Sequence, residues 1–216
     1  MRRARPLLLV LASCLRMVAH AADCPLSQAP LAVSFSTIDA PVAERPASRA
    51  RIAELDKQPT SKGYIDLGLT QANLQSELTA IFKIARTENG VCAVPVRADV
   101  RIGYSEMTVF LDKRYAKDSC EFAAIRRHEY RHVDTFHEVL ATHLPDIRFA
   151  LERAGRSGGF PVEAADAESA KAKALAQLDG ALHAEIRTVY ADMNRRQDAL
   201  DTPASYAAVH ASCRGW

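Results

Sequence analysis

The sequence His128-Glu129-Tyr130-Arg131-His132 constrains the fold of this chain more than any other stretch. Residues four apart lie one turn apart on the same side of an α-helix, so the motif requires a helix that places both imidazoles side by side. Two histidines at this spacing can bind one Zn²⁺, which makes a bound water acidic, and the glutamate between them can accept the water's proton. The motif therefore predicts His128 and His132 as metal ligands and Glu129 as a catalytic base.

The helix that carries the motif is amphipathic, and Glu129 lies on its apolar side. Asp118 or Ser119 can cap this helix, and Glu121 follows Asp118 at the spacing of a capping box. Apolar residues at helical spacing form one stripe, namely Phe122, Ile125, Val133, Phe136 and Leu140. Glu129 falls in the middle of this stripe, where an unpaired carboxylate is costly to bury. A metal-bound water and a second polar partner would explain its position.

The chain before the motif helix contains strand patterns. Residues 22–62 are rich in proline and are predicted to be irregular, apart from a short strand at 31–37 and a short helix at 47–55. Apolar residues between 74 and 85 fit helical spacing, but residues 81–87 fit a strand equally well, and the sequence leaves both open.

Strict alternation of apolar and polar residues marks the stretch 94–111, which leads directly into the motif helix. The alternation is interrupted at Gly103-Tyr104-Ser105. Two alternating runs around a turn sequence predict an antiparallel β-hairpin.

Helical patterns dominate the chain after the motif. Pro145 is predicted to end the motif helix or to start the next, since proline suits a first helical turn. A short helix over 146–154 and a long alanine-rich helix over 162–196 follow. The fold class expected from these elements is α+β: a small antiparallel hairpin or sheet packed on the motif helix, followed by a helical C-terminal half.

The N-terminus is typical of an exported protein. Basic residues at positions 2, 3 and 5 precede a short apolar run, and Ala19-His20-Ala21 offers a cleavage site, so residues 1–21 are predicted to be a signal peptide. In the alternative, Leu11-Ala12-Ser13-Cys14 matches a lipobox, and Cys14 carries a lipid anchor. Either alternative predicts a periplasmic or secreted protein without a transmembrane span. The net charge of +2 and the scattered arginines give no indication of a nucleic-acid partner.

Four further cysteines remain, and an even number in an exported chain predicts two disulfides. Sequence alone allows three pairings of Cys24, Cys92, Cys120 and Cys213. The favoured pairing is Cys92–Cys120, because the open end of the predicted hairpin would lie near the start of the motif helix. Cys24–Cys213 then remains and would join the two chain ends.

A strand hairpin followed by an HExxH helix resembles the zincin superfamily of metallopeptidases. More narrowly, residues 64–143 are similar to a family of uncharacterised exported bacterial proteins regarded as zinc-dependent proteases. The matching features are the stretch 94–111, Ser119-Cys120-Glu121-Phe122, His128-Glu129, His132-Val133 and, more loosely, Leu200-Asp201-Thr202 with Tyr206. The resemblance implies a zincin-like domain over 63–216. It also implies that residues 107–111 form an edge strand that pairs with an extended peptide substrate.

A catalytic zinc needs a third protein ligand. The metzincin pattern would place glycine at 135 and histidine at 138, where this chain has Thr135 and Glu138. The thermolysin-like pattern takes a glutamate about twenty residues after the second histidine, which implies Glu152. Three acidic residues further along are rival candidates, namely Glu163, Asp166 and Glu185.

Peptide hydrolysis also needs a donor for the oxyanion. Tyr206 is preferred because Asp201 and Thr202 are its neighbours, and the other candidates are His183, Tyr190 and His210.

The expected function is an exported metallopeptidase with one Zn²⁺ that cleaves a protein or peptide substrate in the cell envelope. The alternative is a non-enzymatic metal-binding or envelope interaction protein. In that alternative a fourth protein ligand closes the metal site, and His137 or His143 could supply it.

Overall fold

The computed structural model describes residues 24–56, 67–157, 159–214 and 216. Over these residues the chain is α+β, as predicted, with one five-stranded sheet and a helical C-terminal half. The predicted signal peptide and Cys14 lie outside the described residues. The elements in chain order are β1 (Ala32–Asp39), β2 (Val42–Ala47), α1 (Arg49–Leu55), β3 (Gly68–Thr87), β4 (Gly90–Asp112), α2 (Cys120–Ser157), β5 (Val162–Ala164), α3 (Ala167–Leu200) and α4 (Pro203–Ala211).

Strand β4 is the centre of the sheet. Strand β3 pairs antiparallel with β4 from end to end, which resolves the open choice for residues 81–87 in favour of a strand. Strands β1 and β2 pair in parallel with successive stretches of β4. Since β3 pairs with the same stretches, β1 and β2 lie on the opposite edge of β4 from β3. Strand β5 pairs with the start of β4.

The predicted hairpin within residues 94–111 is wrong, because β4 runs through Gly103-Tyr104-Ser105 without turning. The true hairpin joins β3 to β4 between Thr87 and Gly90. Asn73 pairs with Glu106 and Leu74 with Tyr104, which leaves Ser105 as an extra residue on β4. This bulge shifts the buried side chains of β4 from even-numbered to odd-numbered positions. In the sequence, such a shift interrupts the alternation of apolar and polar residues in the same way that a turn would.

Gly103 allows β1 and β4 to approach each other closely. A Cβ at this position would collide with the carbonyl oxygen of Ile38 on β1. Glycine here therefore lets β1 approach β4 closely and does not mark a chain reversal.

Residues 31–55 were expected to contain one short strand and one short helix, and β1 and α1 confirm both. The structure adds β2, which pairs with the same central strand. The segment 22–62, predicted to be irregular, therefore contributes two strands to the sheet.

Helix α2 begins where the sequence predicts, but it does not end at Pro145. The Ser119 hydroxyl accepts a hydrogen bond from the Phe122 amide at 3.0 Å and caps the helix. The helix then continues through Pro145 to Ser157. Proline removes one backbone hydrogen bond from a helix interior. Ile147 and Leu151, just beyond it, are completely buried in the core, and this burial offsets the loss.

Helix α3 lies antiparallel to α2. His143 contacts Asp192, and His132 contacts Gln197, so residues further along α2 meet earlier residues of α3. Asp166 caps α3 through the Ser169 amide, and apolar residues at helical spacing are buried on one side of this helix: Leu178, Leu182, Ile186, Val189 and Met193. Both helices share one hydrophobic core with β4. Among the described residues no helix is long and apolar enough to cross a membrane.

Two disulfides are present, but the favoured pairing is wrong. The bonds join Cys24 to Cys92 and Cys120 to Cys213. Because β4 is a single strand, Cys92 lies at one end of it, and Cys120 follows its other end. The hairpin that would have brought these two cysteines together does not exist.

Candidate metal centre

Three side-chain donors converge at one point, namely His128 Nε2, His132 Nε2 and Asp201 Oδ1. The two nitrogens are 3.2 Å apart, and they lie 3.1 and 3.2 Å from the carboxylate oxygen. Tetrahedral ligands on a metal with bonds of about 2.0 Å lie about 3.3 Å from one another. The three residues therefore match three corners of a tetrahedral metal site, and this group could hold a metal ion.

The two histidines lie on α2, and Asp201 is the first residue after α3. Asp201 ends α3, and Thr202 immediately caps α4 by accepting a hydrogen bond from the Ser205 amide at 3.2 Å. Gln197 and Asp201 have the same four-residue spacing as His128 and His132, on a helix that runs in the opposite direction. Two pairs of polar residues thus face each other across the helix interface.

His132 is held by Gln197 on the side away from the metal site. The Gln197 amide nitrogen donates to the His132 carbonyl oxygen at 3.2 Å, and the Gln197 amide oxygen accepts from His132 Nδ1. An Nδ1 that donates leaves the Nε2 lone pair free for a metal. Gln197 therefore fixes both the orientation and the tautomer of this ligand.

His128 has a different environment. Its Nδ1 is buried and has no hydrogen-bond partner within the described ranges. The ring lies 5.5 Å from the ring of Tyr206, measured between centroids. The Tyr206 hydroxyl donates to Asp201 Oδ1 at 3.2 Å, so α4 contacts two of the three donors through one side chain.

Glu129 is buried beside this group, with only 5% of its surface exposed. Thr70 on β3 donates to Glu129 Oε2 at 2.8 Å and also lies 3.1 Å from the Glu129 carbonyl oxygen. Thr70 is thus the second polar partner that the sequence called for. Gly68 lies against the same carboxyl group, and a Cβ at this position would lie 2.7 Å from Glu129 Cδ. Glycine is needed at 68 because the carboxyl group occupies the space of a side chain.

The charges in the site are strongly coupled. Burial raises the pKa of Glu129, and the nearby histidines and the Thr70 hydroxyl only partly oppose this rise. Burial would also raise the pKa of Asp201, but hydrogen bonds with His128 and His132 hold it far below its usual range. The pKa of His132 is raised, because Asp201 and Glu129 outweigh the effect of its burial. Both histidines are under 10% exposed, whereas the Asp201 side chain is 38% exposed, so the site opens to solvent at Asp201.

The structure corrects the predicted third ligand. Glu152 lies on α2 itself, twenty residues beyond His132, which is about 30 Å along a helix. It forms an ion pair with Arg156 at 3.9 Å. The prediction assumed that the helix breaks at Pro145 and folds back, and the continuous helix prevents this. Of the three rival acids, Glu163 lies on β5, Asp166 at the start of α3 and Glu185 within α3. None of them joins the metal group.

The other candidate donors lie elsewhere. His137 packs against the Tyr104 ring, and His143 pairs with Asp192 at 3.2 Å, so neither joins the metal group. Of the four candidates for an oxyanion donor, Tyr206 alone contacts the site in the described part of the chain. Of the other three, His183 contacts the Asp179 carbonyl and Tyr190 the Leu74 carbonyl. His210 contacts the Trp216 ring.

The expected edge strand is also different. Residues 107–111 belong to β4 and have β2 on one side and β3 on the other, so they cannot pair with a peptide. The strand that contacts Glu129 is β3. Within the described residues β4 is the only strand that pairs with β3, so the second edge of β3 has no strand partner there.

Asp201 and Gln197 are the residues that sequence reasoning did not assign to the site. A signal for them exists, since Gln197-x-x-x-Asp201 repeats the spacing of the histidines at the end of an amphipathic helix.

No protein-family model, curated protein or solved structure matches this chain. The class of the site is therefore defined by its geometry: two histidines and one aspartate around a common point, with a buried glutamate beside them.

Proposed function

We propose that this protein is a zinc-dependent hydrolase that cleaves peptide bonds. The observation that carries the proposal is the convergence of His128, His132 and Asp201 beside the buried carboxylate of Glu129. Two imidazoles and one carboxylate are a donor set that zinc accepts in catalytic sites. When bound, the metal would supply an acidified water and polarise the substrate carbonyl.

The protein residues then have separate tasks. His128, His132 and Asp201 would hold the metal, and Gln197 keeps the Nε2 atom of His132 available for it. Glu129 accepts a proton from the attacking water and delivers it to the leaving amine. The Thr70 hydroxyl donates to Glu129 Oε2 at 2.8 Å and holds the carboxyl group in place for both steps.

Tyr206 is placed to stabilise the oxyanion. Its hydroxyl lies 3.2 Å from a ligand oxygen, so it shares the space in which a substrate carbonyl would meet the metal. In the free protein it donates to Asp201, and it would have to turn toward the substrate.

The edge of β3 that has no strand partner among the described residues supports a peptide as substrate. Thr70 on this strand contacts Glu129, so an extended peptide that adds to the edge of β3 would run past the catalytic carboxylate. Two disulfides fit an oxidising compartment, and we infer a periplasmic or secreted protein that acts on proteins or peptides of the cell envelope.

The alternative, a non-enzymatic protein with a closed metal site, needs a fourth protein ligand. The metal group contains three donors among the described residues, and neither His137 nor His143 reaches it. Three protein donors leave one position for water or substrate, which supports the enzymatic proposal.

The proposal is tested with Glu129→Gln, which keeps the shape of the side chain but cannot take the proton. Zinc content should stay near one per chain, while hydrolysis of an unfolded protein drops about 100-fold or more. Glu152→Gln on the same helix is the matched control and should change neither quantity. The proposal fails if fully zinc-loaded wild type cleaves no member of a diverse peptide library.

A further inference from the structure

We propose that the Cys120–Cys213 disulfide holds Asp201 and Tyr206 at the metal centre, so that the affinity for metal depends on this one bond. The inference rests on the metal site of the proposed function, but it does not require peptide hydrolysis. It makes the centre sensitive to reduction.

The segment that supplies the third ligand has no fully buried residue among those described. Met193 is the last buried residue of the chain within the described ranges, and α4 has no buried residue. Asp201 lies eight positions after Met193, on this weakly packed segment. Hydrophobic burial, which holds most elements in place, therefore contributes little here.

Other contacts also hold this segment. Gln197 and Asp201 contact the histidines, and the Tyr206 hydroxyl donates to Asp201. These contacts belong to the site itself, so they cannot preorganise it independently. The Trp216 ring is partly buried against the core and lies 5.6 Å from the Tyr115 ring and 4.4 Å from the His210 ring. An aromatic pair of this kind contributes about 1 kcal/mol.

The disulfide is the strong attachment. It joins Cys120, the first residue of α2, to Cys213, just after α4. The histidines lie two and three turns along the same helix α2. The bond thus fixes the far end of α4 to the element that carries the other two ligands, and α4 is held across the site with Tyr206 next to His128.

The two disulfides differ in accessibility. Cys120 is exposed at the surface, whereas Cys92 in the other bond is completely buried. A dithiol reductant should therefore attack Cys120–Cys213 first. The dithiol gives two electrons and two protons, the S–S bond breaks to two thiols, and the reductant is oxidised to its own disulfide.

The experiment measures zinc affinity by equilibrium competition with a chelator. In Cys120→Ser/Cys213→Ser the dissociation constant should rise about 10-fold to 100-fold, the scale for loss of groups that orient metal ligands. The control Cys24→Ala/Cys92→Ala removes the other disulfide and should leave the zinc affinity of the folded protein unchanged. Circular dichroism checks that each variant is folded.

A double-mutant cycle identifies the route of the effect. In an Asp201→Asn background, loss of Cys120–Cys213 should weaken zinc binding much less than in wild type, because the residue that it positions has already been disabled. Additive effects would overturn the proposal, as would unchanged affinity in the folded Cys120→Ser/Cys213→Ser variant.

Stepwise reduction of folded, zinc-loaded wild type gives a second measurement if the variant does not fold. Zinc should be released as Cys120 and Cys213 become alkylatable, before Cys24 and Cys92 do. Zinc retained with the first pair fully alkylated would contradict the proposal. A chain that binds zinc in this redox-dependent way but cleaves no peptide would refute the proposed enzymatic function alone.

Discussion

Gln197 and His132 are joined by two hydrogen bonds, one to the ring and one to the backbone of the histidine. The ring Nδ1 donates to the Gln197 amide oxygen, and the Gln197 amide nitrogen donates to the His132 carbonyl at 3.2 Å. A side-chain amide carries its acceptor oxygen and its donor nitrogen on separate atoms, so Gln197 can make both bonds at once. This pair makes the orientation of a metal ligand depend on a residue that does not touch the metal.

The first prediction concerns Gln197. Gln197→Leu removes both hydrogen bonds and should weaken zinc binding about 10-fold to 100-fold. Gln177→Leu, at an exposed position on the same helix, is the matched control and should leave zinc affinity unchanged. Chelator competition gives the dissociation constants. Equal affinity of Gln197→Leu and wild type would show that His132 needs no support.

The second prediction compares the two acids proposed as third ligand. Asp201→Asn keeps the size of the side chain but removes the charge that pairs with both histidines, so zinc content after dialysis should fall well below one per chain. Glu152→Gln should retain zinc, since Glu152 lies about 30 Å along α2 from His132. His132→Ala provides the reference for complete loss of the site. The reverse order, with Glu152→Gln losing zinc, would require a break in α2.

The third prediction tests the space around Glu129. In Gly68→Ala the new methyl group would lie 2.7 Å from Glu129 Cδ, so the carboxyl group must move. We expect hydrolysis to fall at least tenfold while zinc stays bound, because the three atoms nearest to the new methyl group all belong to Glu129. Gly180→Ala on α3 meets nothing within 4 Å and should be neutral or stabilise the helix by about 1 kcal/mol. Kinetics with measured zinc content distinguishes these outcomes, and full activity in Gly68→Ala would mean that Glu129 is not held where we place it.

The fourth prediction uses pH. Asp112 is completely buried and accepts hydrogen bonds from the Arg114 side chain at 2.6 and 2.9 Å. Burial alone would raise the pKa of Asp112, but the hydrogen bonds to Arg114 outweigh it and the pKa is lowered. A lowered folded-state pKa contributes stability that is fully present above the unfolded value of about 3.9 and is lost as the pH falls through the folded value.

Asp112→Asn should therefore reduce the free energy of unfolding by about 1.5–3 kcal/mol at pH 7. The difference from wild type should shrink below pH 4. Asp99→Asn, at a solvent-exposed ion pair with Arg97, is the control and should change the free energy of unfolding much less. Urea titrations at pH 7, 4 and 3 provide the comparison. A difference that grows on acidification would reverse the assigned sign.

Several elements could be predicted from the sequence because their signals are local. The motif helix follows from its periodic apolar residues, and the short elements β1 and α1 lie close to the strand and helix predicted at 31–37 and 47–55. The same reasoning placed Glu129 in the buried face of α2 and called for a second polar partner. That partner is Thr70 of β3, fifty-nine residues away in sequence.

The errors share a cause. Pro145 and the sequence Gly103-Tyr104-Ser105 are normally signals for a break, but here each lies within a continuous element. Burial of Ile147 and Leu151 keeps α2 intact, and a bulge at Ser105 keeps β4 intact. A proline or a turn sequence indicates only that continuing the helix or strand costs free energy. Whether packing against the rest of the protein offsets this cost depends on residues elsewhere in the chain.

The sequence alone shows that one helix carries two histidines and a glutamate on neighbouring positions of its surface, because helical geometry relates residues four apart. It also shows four cysteines beyond residue 21, but it leaves their three possible pairings open. The acid that completes the site and the pairing of these cysteines depend on the tertiary structure. Asp201 meets the histidines because α3 packs antiparallel on an unbroken α2. That packing depends on contacts between residues far apart in the sequence, such as His132 with Gln197 and His143 with Asp192.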